Sequence, residues 1–263
     1  MRENGERIVN TYIMYGIVCA AVFLAGFVDS IAGGGGLISL PAYMIAGLPA
    51  HTAIATNKIS SSMGTAIASW HYFRQGFMKW KLCLPSILAA IVGSSIGAKL
   101  TLMIPENVLK IAMLIVLPVI LFYVTRSKTL SGEVQNTEEV INGTLIFKCI
   151  LIAFGIGIYD GIYGPGTGTF LMLLFSGFCH LTMNDAAGTT KAINLTTNIT
   201  ALVVFLVNGK GLLGLGIAAG ICNMIGNFLG SHCFTDKGTK IVKPIMIVVI
   251  VIFFIKVLTE LIG

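Results

Sequence analysis

Charged side chains are scarce in this chain: Lys, Arg, Asp and Glu make up 11% of its 263 residues, against about 25% in an ordinary soluble domain. With 56% hydrophobic residues and a mean hydropathy of +0.90, such a chain cannot solvate its own surface in water. Alternating apolar and polar strands are also missing, which excludes a membrane β-barrel. The six cysteines (Cys19, Cys83, Cys149, Cys179, Cys222, Cys233) form no CxxC and do not pair with His at metal spacing, so they read as small buried residues and no metal is expected. His51, His71, His180 and His232 lie in or near loops and do not cluster, so no catalytic constellation emerges and no enzyme or cofactor is indicated. The net charge of +6 would suggest nucleic acid in a soluble protein. Here most loop Lys and Arg are read as setting orientation against a lipid bilayer, and nucleic acid is dismissed. A cleavable signal is not evident: the polar Met1 to Asn10 stretch precedes an apolar run without a small-residue cleavage pattern, so the first segment is expected to be retained.

What the chain has instead is a succession of apolar stretches, at 12–28, 37–48, 52–73, 82–103, 108–124, 145–159, 168–179, 186–207, 211–231 and 241–258. Several reach the ~20 residues of a spanning helix, and in a bilayer core only helices or closed barrels satisfy the backbone. The expected fold class is an all-α integral membrane protein of about ten hydrophobic helical segments. It would lie in the cell membrane and cross it many times.

Shifting the chain on itself by 131 to 133 residues aligns it end to end. Gly26, Asp29, Ile31, Gly33 and Gly35 fall on Gly157, Asp160, Ile162, Gly164 and Gly166; Ala53, Thr56 and Lys58 fall on Ala186, Thr189 and Lys191. Gly76 meets Gly209, Gly93 and Gly97 meet Gly226 and Gly230, and Lys110 and Met113 meet Lys243 and Met246. The expected organisation is a first transmembrane repeat at 1–125, a polar linker at 126–145 and a second repeat at 146–263. Five segments per half turn the second half upside down, the arrangement of many transporters. Segments 37–48 and 168–179 leave this open, because about 12 residues make only about 18 Å of helix against a core of about 30 Å, and re-entrant segments would make the repeats parallel. Loop charge favours inversion. The loop at 74–81 carries Arg74, Lys79 and Lys81, and its counterpart only Lys210; Arg126, Lys128, Lys237, Lys240 and Lys243 would share the cytoplasmic face with the first group, leaving both termini outside. The sequon at Asn142 is given no weight.

Three features recur in both halves. The first is a glycine-rich break, Gly33, Gly34, Gly35 and Gly36 in one half and Gly164-Pro165-Gly166-Thr167-Gly168 in the other. Each interrupts a helix and releases a new N-terminus, whose free N–H groups and positive dipole end suit an anion. Close helix packing is the plainer reading of such glycines. The second feature is the acid ahead of each break, Asp29 and Asp160, either capping the glycine turn or exchanging a proton. The third is a polar stripe: Lys58, Ser61, Ser62 and Thr65 at i, i+3, i+4, i+7, answered by Lys191, Asn194 and Asn198. A Lys facing lipid is unfavourable by about 3 kcal/mol, so Lys58 and Lys191 should face the interior unless they snorkel from helix ends. Gly93-Ser94-Gly97 and Asn223-Gly226-Asn227-Gly230 suit close packing first and pathway lining second.

At Gly26-Phe27-Val28-Asp29-Ser30-Ile31-Ala32-Gly33-Gly34-Gly35-Gly36, at Ala55-Thr56-Asn57-Lys58, and at their counterparts Asp160 to Gly168 and Gly188-Thr189-Thr190-Lys191, the chain resembles the TauE/SafE family of membrane transporters. The resemblance spans nearly the whole sequence and implies a carrier, an exporter of sulfite, an organosulfonate or another sulfur-containing anion. The expected substrate site combines the two glycine breaks, Asn57, Lys58, Ser61, Ser62, Thr65, Thr189, Thr190, Lys191, Asn194 and Asn198, with Asp29 and Asp160 orienting the lysines or carrying a proton. Pro165, Tyr159 and Tyr163 make the halves unlike each other. An anion channel and a non-transporting scaffold stay open as alternatives. Direction, coupling ion and oligomeric state are not written in these residues, a homodimer being one option.

Overall fold

The computed structural model describes residues 2–126 and 141–233, with isolated positions from 247 onward. Among the described residues it contains nine helices: α1 (Arg2–Ala32), α2 (Gly36–Ile45), α3 (Ala50–Arg74), α4 (Trp80–Met103), α5 (Glu106–Arg126), α6 (Gly143–Ile162), α7 (Thr167–Gly177), α8 (Met183–Val207) and α9 (Leu213–His232). The tenth expected segment and most of the linker lie outside the described residues.

Local chemistry accounts for where the helices begin. Asn142 caps α6 by accepting from the Leu145 N–H at 2.8 Å, and Thr182 caps α8 by accepting from the Asp185 N–H at 3.2 Å. Pro49 and Pro105 precede α3 and α5, where a missing N–H does no harm. Among the described residues, five helices are long and apolar enough to cross a bilayer: Ile13–Ala32, Trp80–Met103, Gly143–Ile162, Met183–Val207 and Leu213–His232. α3 has the length, with 25 residues, but carries the polar stripe. α2 and α7, of 10 and 11 residues, reach only about 15 to 17 Å, too short to cross a core of about 30 Å.

The perimeter is apolar, and the interior sets a group of buried polar and charged side chains within an apolar core. Leu84, Leu88, Ile91 and Val92 of α4, Phe147 and Leu151 of α6, and Ile217, Ile221, Ile225 and Phe228 of α9 are exposed along the perimeter. Asp29, Lys58, Asp160, Lys191 and a set of Ser, Thr and Asn side chains are buried. In water this would be an aggregation surface around a penalised core; in lipid the outer face is solvated by acyl chains.

The helices pack by exchange between the two ends of the chain. α4 lies against α6 and α8, and α9 against α1 and α3, while α3 and α8 meet each other. With α1 matched to α6, α3 to α8 and α4 to α9, each of these contacts maps onto another. Glycines make the exchange possible: a Cβ at Gly93 or Gly97 would overlap the carbonyl oxygens of Phe154 or Ile158 on α6, and one at Gly226 or Gly230 those of Phe23 or Phe27 on α1. Phe23 and Phe27 stand 131 residues before Phe154 and Ile158, so the close approaches are reciprocal. Sequence halves therefore do not correspond to two separate packing units, because α4 and α9 each find their partners in the other half.

Candidate functional site

The two glycine breaks meet at the centre. α1 stops at Ala32 and α6 at Ile162, where Gly33 (φ 72°) and Gly164 (φ 92°) take a left-handed turn that a side chain would disfavour. α2 and α7 then start afresh. The hinges touch: a Cβ on Gly36 would lie 3.0 Å from Pro165 Cα, and one on Gly168 2.6 Å from Gly33 Cα. The Thr169 N–H donates to the Gly33 carbonyl at 3.1 Å, joining one hinge to the other.

Breaking a helix in a membrane leaves carbonyls without partners, and hydroxyls supply them. Thr169 donates to Ala32 O at 2.9 Å and Tyr72 to Ser30 O at 2.8 Å, securing the end of α1. Thr101 reaches Gly161 O and Ile162 O at 3.1 and 2.8 Å, and Tyr159 reaches Pro165 O at 2.6 Å, securing the end of α6.

The lysines do not snorkel. Lys58 Nζ donates to Asp160 Oδ2 at 2.6 Å and to Asn198 Oδ1 at 3.0 Å. Lys191 Nζ donates to Asp29 Oδ2 at 2.8 Å and to the Asp29 backbone carbonyl. Each lysine thus pairs with the aspartate of the opposite half. The acceptors differ in how firmly they are held: Asp160 also accepts from Thr167 at 2.7 Å, whereas Asp29 adds only the Gly35 N–H at 3.3 Å. Side-chain exposure is 2% for both partners of the Lys58 pair, and 11% for Asp29. These four are the only Asp, Glu, Lys, Arg or His side chains among the buried described residues, and their charges cancel.

Beside them lies a polar cavity of about 20 Å³, room for about one water. Of the sequence-predicted residues, Asp29, Gly33, Gly36, Asn57, Lys58, Ser61, Thr65, Asp160, Gly164, Thr167, Gly168, Asn194 and Asn198 line it. Gly34, Gly35, Gly166, Ser62, Thr189, Thr190 and Lys191 do not. Ser62 returns its hydroxyl to the Lys58 carbonyl at 2.6 Å; Thr189 accepts from Cys83 Sγ at 3.7 Å; Lys191 sits behind Asp29. A larger apolar groove, about 340 Å³ and lined by Trp70, Phe73, Trp80 and Leu195 among others, has no charged residue in its lining. No group of three or more His, Cys, Asp or Glu able to hold a metal occurs among the described residues.

The family model of the sulfite exporter TauE/SafE matches residues 18–257, nearly the whole chain. The chain belongs to the TauE/SafE family. Relatives in that range of similarity are a probable membrane transporter protein, ORF9, of Sinorhizobium sp, 36% identical over 240 residues that cover 91% of this chain and 90% of the relative. YfcA of Escherichia coli (strain K12), also a probable membrane transporter protein, is 31% identical over 250 residues, 94% of this chain and 91% of its own. YdhB of Bacillus subtilis (strain 168), with the same description, is 23% identical over 230 residues, 86% of this chain and 92% of the relative. No solved structure matches. The TauE/SafE chain is accordingly a multi-pass integral membrane transporter and not an enzyme.

Several residues of this TauE/SafE protein that shape the site escaped sequence reading. Ser39 donates to Asn57 Oδ1 at 2.6 Å and Tyr43 to Ser60 at 2.9 Å, tying α2 to α3; Tyr72 and Thr101 hold hinge carbonyls. Their only local signal is a hydroxyl within an apolar run, which many structural residues share.

Proposed function

We propose that the chain carries a small anion, sulfite or a related sulfur-containing anion such as an organosulfonate, out of the cell by alternating access at the central cavity. The observation that carries this reading is the placement of Lys58 Nζ, buried and facing a small polar cavity, between the starts of α2 and α7. Lysine and both helix N-termini favour negative charge there. Asn57, Ser61, Thr65, Thr167, Asn194 and Asn198 offer hydroxyls and amides to replace the water an anion loses. Lys191 contributes by holding Asp29, and Asp29 and Asp160 orient the lysines or exchange a proton.

In this reading residues 1–125 and 146–263 act as inverted repeats about the hinges, in support of which stand the reciprocal ion pairs and the reciprocal exchange of α4 and α9. The cavity must widen to take sulfite and must close again, which suits a carrier better than an open channel. The test is counterflow of labelled sulfite in proteoliposomes, beside a binding screen of sulfite, thiosulfate, sulfonates and carboxylates on the purified protein. Accumulation driven by trapped unlabelled sulfite, abolished in Lys58→Ala, is expected. Undiminished flux in Lys58→Ala, or flux without counterflow, refutes the proposal.

A further inference from the structure

The charge arrangement around the cavity bears on how the carrier resets. In this structure the two buried lysines and two buried aspartates pair off, and the cavity, with room for about one water, is too small for an anion. The empty site is therefore electrically balanced, with no net charge to oppose its return across the membrane barrier without cargo. A site that kept a bare lysine when empty would be trapped until a new anion arrived. The same balance penalises an anion entering alone, since a negative charge beside Asp29 and Asp160 would leave one buried charge uncompensated.

Resting on the anion-carrier reading above, we infer that the site takes a singly charged anion together with one proton, that Asp29 is the group receiving the proton, and that the empty carrier returns unloaded. Transport is thus electroneutral net flux and not obligatory exchange. In the loading step the O–H bond forms on Asp29 Oδ1, whose other bond is the long one to the Gly35 N–H. The anion enters beside Lys58. On the far side anion and proton leave together, and Asp29 regains its full charge opposite Lys191; no net charge has crossed. Lys191 keeps the Asp29 backbone carbonyl as a partner throughout, so it stays satisfied while the carboxyl is neutral.

Asp29 is chosen over Asp160 on geometry. It lines the cavity and is the more exposed of the two, while Asp160 commits both oxygens, at 2.6 Å to Lys58 and 2.7 Å to Thr167. The groups facing Asp29 are Lys191 from α8, the Gly35 amide, from α3 Tyr72, whose hydroxyl is taken up by Ser30 O, and, sharing its cavity, Lys58 from α3 and Asp160 from α6, which pair with each other. Those facing Asp160 are Lys58 from α3, Thr167 from α7 and, on its own helix, Tyr159, whose hydroxyl is held by Pro165 O.

The experiment uses the full chain in proteoliposomes loaded with labelled sulfite and a trapped pH dye. Efflux is compared between an anion-free medium and one containing unlabelled sulfite, with the potential clamped by potassium and valinomycin. Wild type is expected to empty into anion-free medium at a rate comparable to exchange, with internal alkalinisation in step with the anion lost. Changing the clamp by about 100 mV should alter the rate less than about twofold, where transfer of one full net charge would alter it up to about fiftyfold. Asp29→Asn mimics the protonated carboxyl. Counterflow should persist in it without pH dependence, net efflux should fall about a hundredfold because the empty site now carries a bare charge, and Asp29→Glu should restore net efflux. Exchange without net efflux in wild type, or flux that follows the potential, overturns the inference while leaving the anion carrier standing. Neither exchange nor efflux with any anion that the binding screen identifies overturns both.

Discussion

Replacing Lys58 by Met leaves the Asp160 carboxylate buried, at 2% side-chain exposure, with Thr167 as its remaining partner. Removing one member of a buried pair costs about 3–5 kcal/mol, because the surviving charge is uncompensated in a low-dielectric interior. At about 2–4 °C per kcal/mol for a chain of this size, the midpoint of thermal unfolding should fall by about 6 to 20 °C. Asp160→Asn alone strands the lysine and should lose a similar amount. The double variant Lys58→Met/Asp160→Asn carries no charge, keeps an oxygen for the Thr167 hydroxyl, and should lose no more than either single change. A thiol-reactive dye reports the transition, since the thiols of Cys83, Cys149 and Cys179 are buried and become reactive on unfolding. If the two losses simply add in the double variant, the pair is not the energetic unit that the 2.6 Å contact indicates. The double variant should still fail to transport, separating the stabilising role of the pair from the anion-binding role of Lys58.

Gly226→Leu should drive α9 from α1 and Gly93→Leu should drive α4 from α6, each destabilising by about 1–3 kcal/mol or more, whereas Gly16→Ala, which meets nothing within 4 Å, should be neutral or slightly stabilising by thermal unfolding. Gly164→Ala places a Cβ in a left-handed turn, 3.0 Å from both Asp160 Oδ1 and Lys58 Nζ, so sulfite counterflow should fall well beyond the effect of about 1–2 kcal/mol of backbone strain alone; unaltered flux would show that the hinge tolerates a side chain. Ser61→Cys, in a background without the native cysteines, should react with a small charged thiol reagent and be protected by sulfite, while Ser86→Cys, buried away from the cavity, should not react at all. Lys79 and Lys210, in corresponding loops, should be modified by an impermeant amine reagent from opposite sides of the membrane; labelling from one side would make the repeats parallel.

Much of this architecture is legible without coordinates because the bilayer imposes a local criterion. A run such as 82–103 must be helical to hide its own N–H and C=O groups, and α4 duly covers Trp80–Met103. The breaks at Gly33 and Gly164 are legible for the same local reason, since the residues that permit a left-handed turn sit where the apolar run is interrupted. Burial of Lys58 and Lys191 follows from the unfavourable transfer of an amine to lipid, whichever fold results.

What the tertiary structure alone decided is who meets whom. That Lys58 finds Asp160, 102 positions away, and Lys191 finds Asp29, 162 positions away, depends on α3 and α8 crossing between the two hinges. No local pattern encodes that crossing. The same holds for the exchange of α4 and α9, for the hydroxyls of Tyr72, Thr101 and Thr169 that take up hinge carbonyls, and for Lys191 lying behind Asp29 while Lys58 faces the cavity. Hydropathy and glycine placement act on a segment by itself, and so the sequence determined the helices, their breaks and the four charges they must hide. Pairing among those charges is a property of distances across the packed bundle, and only the folded chain sets it.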